Sequence, residues 1–245
     1  MKTALITGAN KGIGFEVAKI LAKQGIYVYI GCRNLDNGTK ALKELNTAGI
    51  HNIAIIQLDV TNQESIDEAK KEILKTTDVL DILVNNAGIS GEFEQSAISS
   101  KIDEYKKVYE TNVFGVISVT QTFLDMMEKS PEPRIVNVST AMASLSLAAE
   151  IANENYPKRY AIYQSSKSAL NMYTLQLAYE LKDLPFKVNA VCPGWTKTDF
   201  TNHQGTSTPE EAGQRIAKYA LLDKTGPTAK FFSEEYYPAP ANCPW

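Results

Sequence analysis

Tyr163 and Lys167 stand four residues apart in Tyr163-Gln-Ser-Ser-Lys167, and on a helix that spacing puts both side chains on one face. A phenol can donate a proton, and an ammonium beside it stabilises the phenolate left behind. Near the start of the chain, Thr7-Gly-Ala-Asn-Lys-Gly-Ile-Gly14 follows a short apolar run and opens a helical pattern. Such glycines turn a strand sharply into a helix whose N-terminus accepts phosphate. A nucleotide cradle together with a proton donor and its activating cation points to redox chemistry on a carbonyl or an alcohol.

The elements that must position these groups alternate between strand and helix. Ala4–Thr7 reads as a buried strand and Gly12–Gln24 as a helix, with Ile13, Val17, Ile20 and Leu21 at helical spacing and Gly25 as its C-cap. Strand Ile26–Cys32, helix Leu35–Asn46, strand Asn52–Leu58, helix Asn62–Lys75 and strand Leu80–Asn85 repeat the cycle. A long helix is expected over Ile102–Met127, ended before Pro131. Arg134–Ser139 and Phe186–Cys192 read as buried strands, and Ala161–Leu181 as the helix that carries Tyr163 and Lys167. Near-continuous apolar strands with helical crossovers imply a parallel sheet covered on both faces. Two stretches are less regular: Ala141–Lys158 is long for a connection, and the proline- and aromatic-rich tail after Gly226 is expected to pack as a non-helical wrap.

At 245 residues, 44% hydrophobic and 22% charged, the chain suits one soluble globular domain, 1–245. A net charge of −3 gives no electrostatic case for nucleic acid or an anionic membrane surface. Cys32, Cys192 and Cys243 show no CxxC or paired spacing, as expected of reduced thiols in the cytoplasm. The first apolar run ends at Gly8, and no stretch reaches the ~20 apolar residues of a membrane span. His51 and His203 have no ligand-spaced acidic or cysteine neighbours, so no metal is expected.

The end of the second strand sets the dinucleotide. An acid there binds a ribose 2′-OH, whereas an arginine accommodates a 2′-phosphate. Here the strand ends Ile30-Gly-Cys-Arg33, with no carboxylate before Asp36, and Lys11 is expected to supply a second cation. The pair favours NADPH.

Thr7–Gly14, Asp59-Val60, Asn85-Asn-Ala-Gly88, Asn112, Asn137-Val-Ser-Thr140, Tyr163/Lys167 and Pro193-Gly194 occur in an order that resembles the short-chain dehydrogenase/reductase family over essentially the whole chain. Within it, the glycine segment and Cys192-Pro-Gly-Trp-Thr-Lys-Thr-Asp199 look most like NADPH-dependent carbonyl reductases. The resemblance implies a Rossmann-type, doubly wound parallel sheet of about seven strands with helices on both faces. It implies that Gly8, Asn10, Lys11, Gly12, Ile13 and Gly14 cradle the cofactor, with Asp59 and Val60 at the adenine. Asn86, Ala87 and Gly88 flank the cofactor beyond the fourth strand. Pro193, Gly194 and the following backbone of Trp195 and Thr196 hold the nicotinamide carboxamide, and Thr198 donates to the pyrophosphate. Tyr163 is then the acid. Lys167 lowers the phenol's pKa and binds the nicotinamide ribose, and Asn112 anchors a water that resupplies the proton. Where the family commonly has a second serine, this chain has Thr140, which is expected to hold the substrate oxygen, with Ser139 as the alternative.

The segment Ala141–Lys158, with Leu145, Leu147 and Ile151, is longer than in minimal family members and is similar in place to an insertion that covers a dimerisation helix in monomeric carbonyl reductases; a monomer is preferred and a homo-oligomer stays open. With Trp195 and Phe200–Thr208 it should wall a pocket for neutral carbonyls. Two other functions remain open: an oxidative alcohol or hydroxysteroid dehydrogenase, and a non-catalytic dinucleotide sensor on the same fold.

Overall fold

The computed structural model of the chain describes all residues except 93 and 152–159. Seven parallel strands form one sheet in the order β3-β2-β1-β4-β5-β6-β7. They are β1 Thr3–Thr7, β2 Tyr27–Cys32, β3 Ile53–Gln57, β4 Ile82–Asn85, β5 Arg134–Val138, β6 Lys187–Cys192 and β7 Lys230–Ser233. The helices between them are α1 Gly12–Lys23, α2 Leu35–Thr47, α3 Gln63–Leu74, α4 Ile102–Tyr109, α5 Gly115–Met127, α6 Leu145–Ile151, α7 Ala161–Glu180 and α8 Pro209–Ala220. This is the doubly wound arrangement expected. Among the described residues no helix is long and apolar enough to cross a membrane.

The apolar strands make sense once both faces are covered. Ala4 and Ile6 of β1 pack with Val17 and Leu21 of α1 and Ile216 of α8. Leu5, between them, faces Ile66 of α3 and Phe123 of α5 on the other side. Alternate residues thus serve two different cores, which erases the polar half of the usual strand alternation. Strand order reverses between β1 and β4. Chains leaving neighbouring strands at such a switch point diverge to opposite faces and leave a crevice at the carboxyl ends.

The opposite rim of the sheet is closed by buried polar groups. Asp81 accepts hydrogen bonds from Thr3 N at 2.7 Å and Ser130 Oγ at 2.6 Å. Arg134, 2% exposed, donates from Nε to Leu222 O at 2.7 Å and from Nη1 to Pro133 O at 2.9 Å. Together they tie down the chain entering β1, β4 and β5.

Three features depart from the sequence reading. The expected helix 102–127 is two α-helices joined by a π-helical turn, Glu110–Phe114, a local widening of the kind that often marks a functional position. Helix α8 was not foreseen, although Thr208-Pro-Glu-Glu211 is a capping box: Thr208 N donates to Glu211 Oε2 and Glu211 N to Thr208 Oγ1. The tail is a packed wrap, as expected, but begins with a strand, β7. Trp245 stacks on Phe231 at 5.5 Å between ring centroids, and Asn242 pairs back with Phe232. All three cysteines are buried and unpaired. The expected insertion extends as α6; Ile151's side chain and the stretch that follows lie outside the described residues.

Gly115 lets α5 close on the turn after β3. A Cβ there would lie 2.8 Å from Val60 O and 2.9 Å from Val60 Cγ2. Overpacking costs about 1–3 kcal/mol, more than the ~1 kcal/mol that alanine gains within a helix. Gly115→Ala should therefore lower the urea midpoint, and an unchanged or higher midpoint would show that the turn yields freely.

Candidate active site

The crevice at the β1/β4 switch point is a cleft of 1920 Å3. Its upper wall starts at Gly8 and Gly12, whose φ angles of 64° and 59° lie in the left-handed region that glycine adopts without strain. A Cβ on Gly8 would sit 3.0 Å from Ala87 Cα, and one on Gly14 would sit 2.5 Å from Asn86 Nδ2. Asn86 explains this closeness. Its Nδ2 donates to Thr7 O at 2.9 Å and Gly8 O at 3.1 Å, while Thr7 Oγ1 accepts from Asn86 N and Ala87 N, both at 3.0 Å. The glycine loop and Asn86-Ala87-Gly88 are stitched into one cradle in which Gly8 and Gly14 leave no room for a side chain.

At the far end, Arg33 follows β2, is exposed and lines the cleft. Lys11 differs from expectation. It is ion-paired with Asp199 at 2.6 Å, so the second cation is already engaged with a carboxylate across the groove. Both partners are exposed, so a dianion can exchange for the carboxylate at little cost. Asp59 holds Thr61 N and Thr61 Oγ1 on one carboxylate oxygen, at 3.0 and 2.8 Å, which fixes the carboxylate at the rim of the cleft.

After β6 the chain turns at Pro193-Gly194, with Gly194 at φ 86°. Arg215 Nη1 of α8 donates to Pro193 O at 2.7 Å and Ser207 Oγ at 2.9 Å. Glu235, from the tail beyond β7, accepts from Trp195 N at 2.6 Å. The Trp195 carbonyl accepts from Thr206 N and Ser207 N at 2.8 and 3.0 Å. Both main-chain groups of Trp195 are therefore committed to protein partners, which corrects its expected place as a main-chain carboxamide contact, although the residue lines the cleft. Thr196 and Thr198 also line the cleft, and a Cβ on Gly12 would meet Thr198 Cγ2 at 3.5 Å.

Helix α7 brings Tyr163 in its first turn and Lys167 one turn later. Lys167, 4% exposed, donates from Nζ to Val138 O at 2.8 Å. Burial pulls its pKa from 10.5 down to about 8. The Tyr163 phenol moves the other way: burial pushes it above its ordinary 10, and the nearby Cys192 adds to the rise. The expected lowering by Lys167 does not enter the causes of this shift: removal from water and Cys192 both disfavour the phenolate. The Tyr163 ring meets Phe200 at 5.6 Å.

The two candidate hydroxyls are differently placed. Ser139 donates to Asn171 Oδ1 at 2.7 Å and is 2% exposed. Thr140 is half-buried, and its Oγ1 accepts from Met142 N at 3.3 Å, which leaves its proton for an outside acceptor. Asn112, in the π-helical turn, is fully buried. Its Oδ1 accepts from Ile89 N at 2.9 Å; its Nδ2 donates to Ile89 O at 2.9 Å and to Ser166 Oγ at 3.1 Å. A Cβ on Gly88 would lie 3.3 Å from Asn112 Oδ1 and 3.6 Å from Lys167 Nζ, so the amide stands directly behind the cleft wall.

Of the residues expected to be catalytic or to contact the cofactor, all except Gly14 and Asn112 line the cleft, and these two back it. Of the expected wall, Met142, Leu147, Trp195 and 200–204 line the cleft, whereas Leu145 and 205–208 do not. Tyr236 and Tyr237 from the tail, Cys192 and Gln95 join them, none carrying a local signal for a site.

The profile of short chain dehydrogenases matches residues 2–208. The chain belongs to that family, and is an oxidoreductase of it. Salutaridine reductase of Papaver bracteatum is 32% identical, over 95% of this chain and 94% of its own length. (-)-Isopiperitenone reductase of Mentha piperita is also 32% identical, over 95% and 96%. The NADPH-bound carbonyl reductase from chicken fatty liver superposes with a TM-score of 0.83 at 26% identity, covering 100% of this chain and 99% of that one.

Like a buried cation anywhere, Lys167 costs this dehydrogenase stability. Below pH 8 it is charged in both the folded and unfolded chain, so the full cost is present. Between pH 8 and 10.5 the folded chain has shed the proton and the cost fades. The shift corresponds to about 3 kcal/mol, offset by about 1 kcal/mol for the hydrogen bond to Val138 O. Lys167→Met should raise unfolding free energy by about 2 kcal/mol at pH 6.5 and by much less at pH 10. Equal changes at the two pH values would place the lysine's cost elsewhere.

Proposed function

We propose that this dehydrogenase reduces neutral, largely apolar ketones or aldehydes to alcohols with NADPH. The observation that carries the reading is that Tyr163, Lys167 and Thr140 line the same cleft as the glycine cradle and Arg33. The residues present fit the cofactor: Gly8 and Gly12 line the cleft at the start of α1 without side chains, Gly14 lets that helix close on Asn86, Arg33 suits a 2′-phosphate, and Asp59 offers an acceptor for the adenine amino group. When bound, NADPH supplies the hydride.

The chain's own groups handle the oxygen. Thr140, fixed by Met142 N, donates its hydroxyl to the carbonyl oxygen, where negative charge develops. Tyr163 gives that oxygen its proton. The raised pKa keeps the phenol protonated at neutral pH, which suits an acid, and an alkoxide is basic enough to take the proton all the same. Lys167, held by Val138 O, stabilises the phenolate that remains. Asn112 keeps the wall beside Lys167 in place through Ile89. Met142, Leu147, Phe200 and Tyr236 add apolar and aromatic lining to the cleft, which suits uncharged carbonyls. Relatives named as reductases of salutaridine and isopiperitenone support the direction.

Loss of reduced-nicotinamide absorbance with a ketone panel, using NADPH and NADH in parallel, tests the reading. Tyr163→Phe should lower kcat by ~10²–10⁴-fold, and Arg33→Ala should raise the KM for NADPH at least ~10-fold while sparing NADH. Tight NADPH binding with no carbonyl turned over would leave a dinucleotide sensor. A second comparison assigns the hydroxyl: Thr140→Val should abolish most activity and Ser139→Ala less, and the reverse order would exchange their roles.

A further inference from the structure

Gln95 is 3% exposed and carries no charge, yet its side chain is tied at both ends. Its Oε1 accepts from Tyr163 N at 2.8 Å. Its Nε2 donates to Ser90 O at 2.6 Å and Glu92 O at 2.7 Å. The orientation of the amide follows from these partners. Carbonyls only accept and a backbone N–H only donates, so the flipped amide would lose all three bonds. Gly91, at φ 77°, makes the wrap possible, since a Cβ there would come within 3.2 Å of Gln95 Nε2.

The Tyr163 N–H is one of the first-turn donors that a helix cannot satisfy internally. Helix α7 has no capping side chain at its own N-cap, Tyr160. A remote amide, 68 residues away in sequence, does that work. The other main-chain group of Tyr163 is tied to the same place. Ser166 Oγ donates to Tyr163 O at 2.7 Å, Asn112 Nδ2 donates to Ser166 Oγ at 3.1 Å, and Asn112 grips both main-chain groups of Ile89. The backbone of Tyr163 is thus bracketed on both sides by the segment Ile89–Glu92, which continues directly from Gly88 in the cleft wall.

We infer that Gln95 is a positioning residue, which sets where the Tyr163 phenol stands by clamping the start of α7 to the loop that follows β4. The inference rests on the reading of Tyr163 as the acid. Its distinguishing consequence is that Gln95 matters through the phenol and not through general stability.

The test uses Gln95→Met, which keeps length and loses the hydrogen bonds, in the wild-type and Tyr163→Phe backgrounds. In the wild-type background kcat should fall ~10–100-fold while the KM for NADPH changes less than ~3-fold. In the Tyr163→Phe background the same substitution should leave the residual rate unchanged, because there is no phenol to misplace. A wild-type kcat in Gln95→Met, or an equal loss in both backgrounds, would overturn the assignment. If Gln95→Met does not fold, Gln95→Asn, one methylene too short to span the gap, is read by the same two comparisons. A full rate in Tyr163→Phe alone would instead remove the acid role, a failure visible before Gln95 is touched.

Discussion

Asn86 lays its amide across the carbonyls of Thr7 and Gly8, and Thr7 returns its hydroxyl to two N–H groups beyond β4. These four hydrogen bonds close the switch point of the sheet, and the glycines on either side are what that closeness demands. With the β1 and β4 loops locked together, the loop after β4 has one path open to it. It runs past Gly88 to Ile89, where Asn112 holds it, and on to Gln95. Helix α7 is referenced to that loop, so the glycine cradle and the stand for the Tyr163 phenol form one continuous hydrogen-bonded piece.

Electrostatics in this piece runs against the charged forms of both central groups. Burial raises the Tyr163 phenol and depresses Lys167 to about 8. Such an environment keeps the phenol a donor and makes each charge that does form more sensitive to its neighbours than it would be in water. Among the described residues the ammonium is held by one carbonyl, Val138 O, which leaves its other protons for partners in the cleft.

What was legible in sequence was chemistry that is also local. Tyr163 and Lys167 sit one turn apart, and Gly8, Gly12 and Gly14 sit in one strand-to-helix turn, so periodicity alone assembles them. The parallel sheet followed from strands apolar on both faces. The groups that hold the site were not legible, because their partners lie far along the chain: Gln95 on Tyr163, Glu235 on Trp195 and Arg215 on Pro193 are separated by 68, 40 and 22 residues. Helix α8 is a different case, since its capping box was readable. The behaviour of the phenol was missed because the sequence shows a cation nearby but does not show how much water is excluded.

Arg134 and Asp81 anchor the rim of the sheet opposite the cleft, and no residue of that rim lines the cavity. Selection therefore meets two nearly separate surfaces in one molecule. Loops such as 195–207 or α6 can diverge to fit a new molecule without disturbing the anchors beneath, whereas drift at the anchored rim threatens survival of the whole scaffold with no gain in versatility.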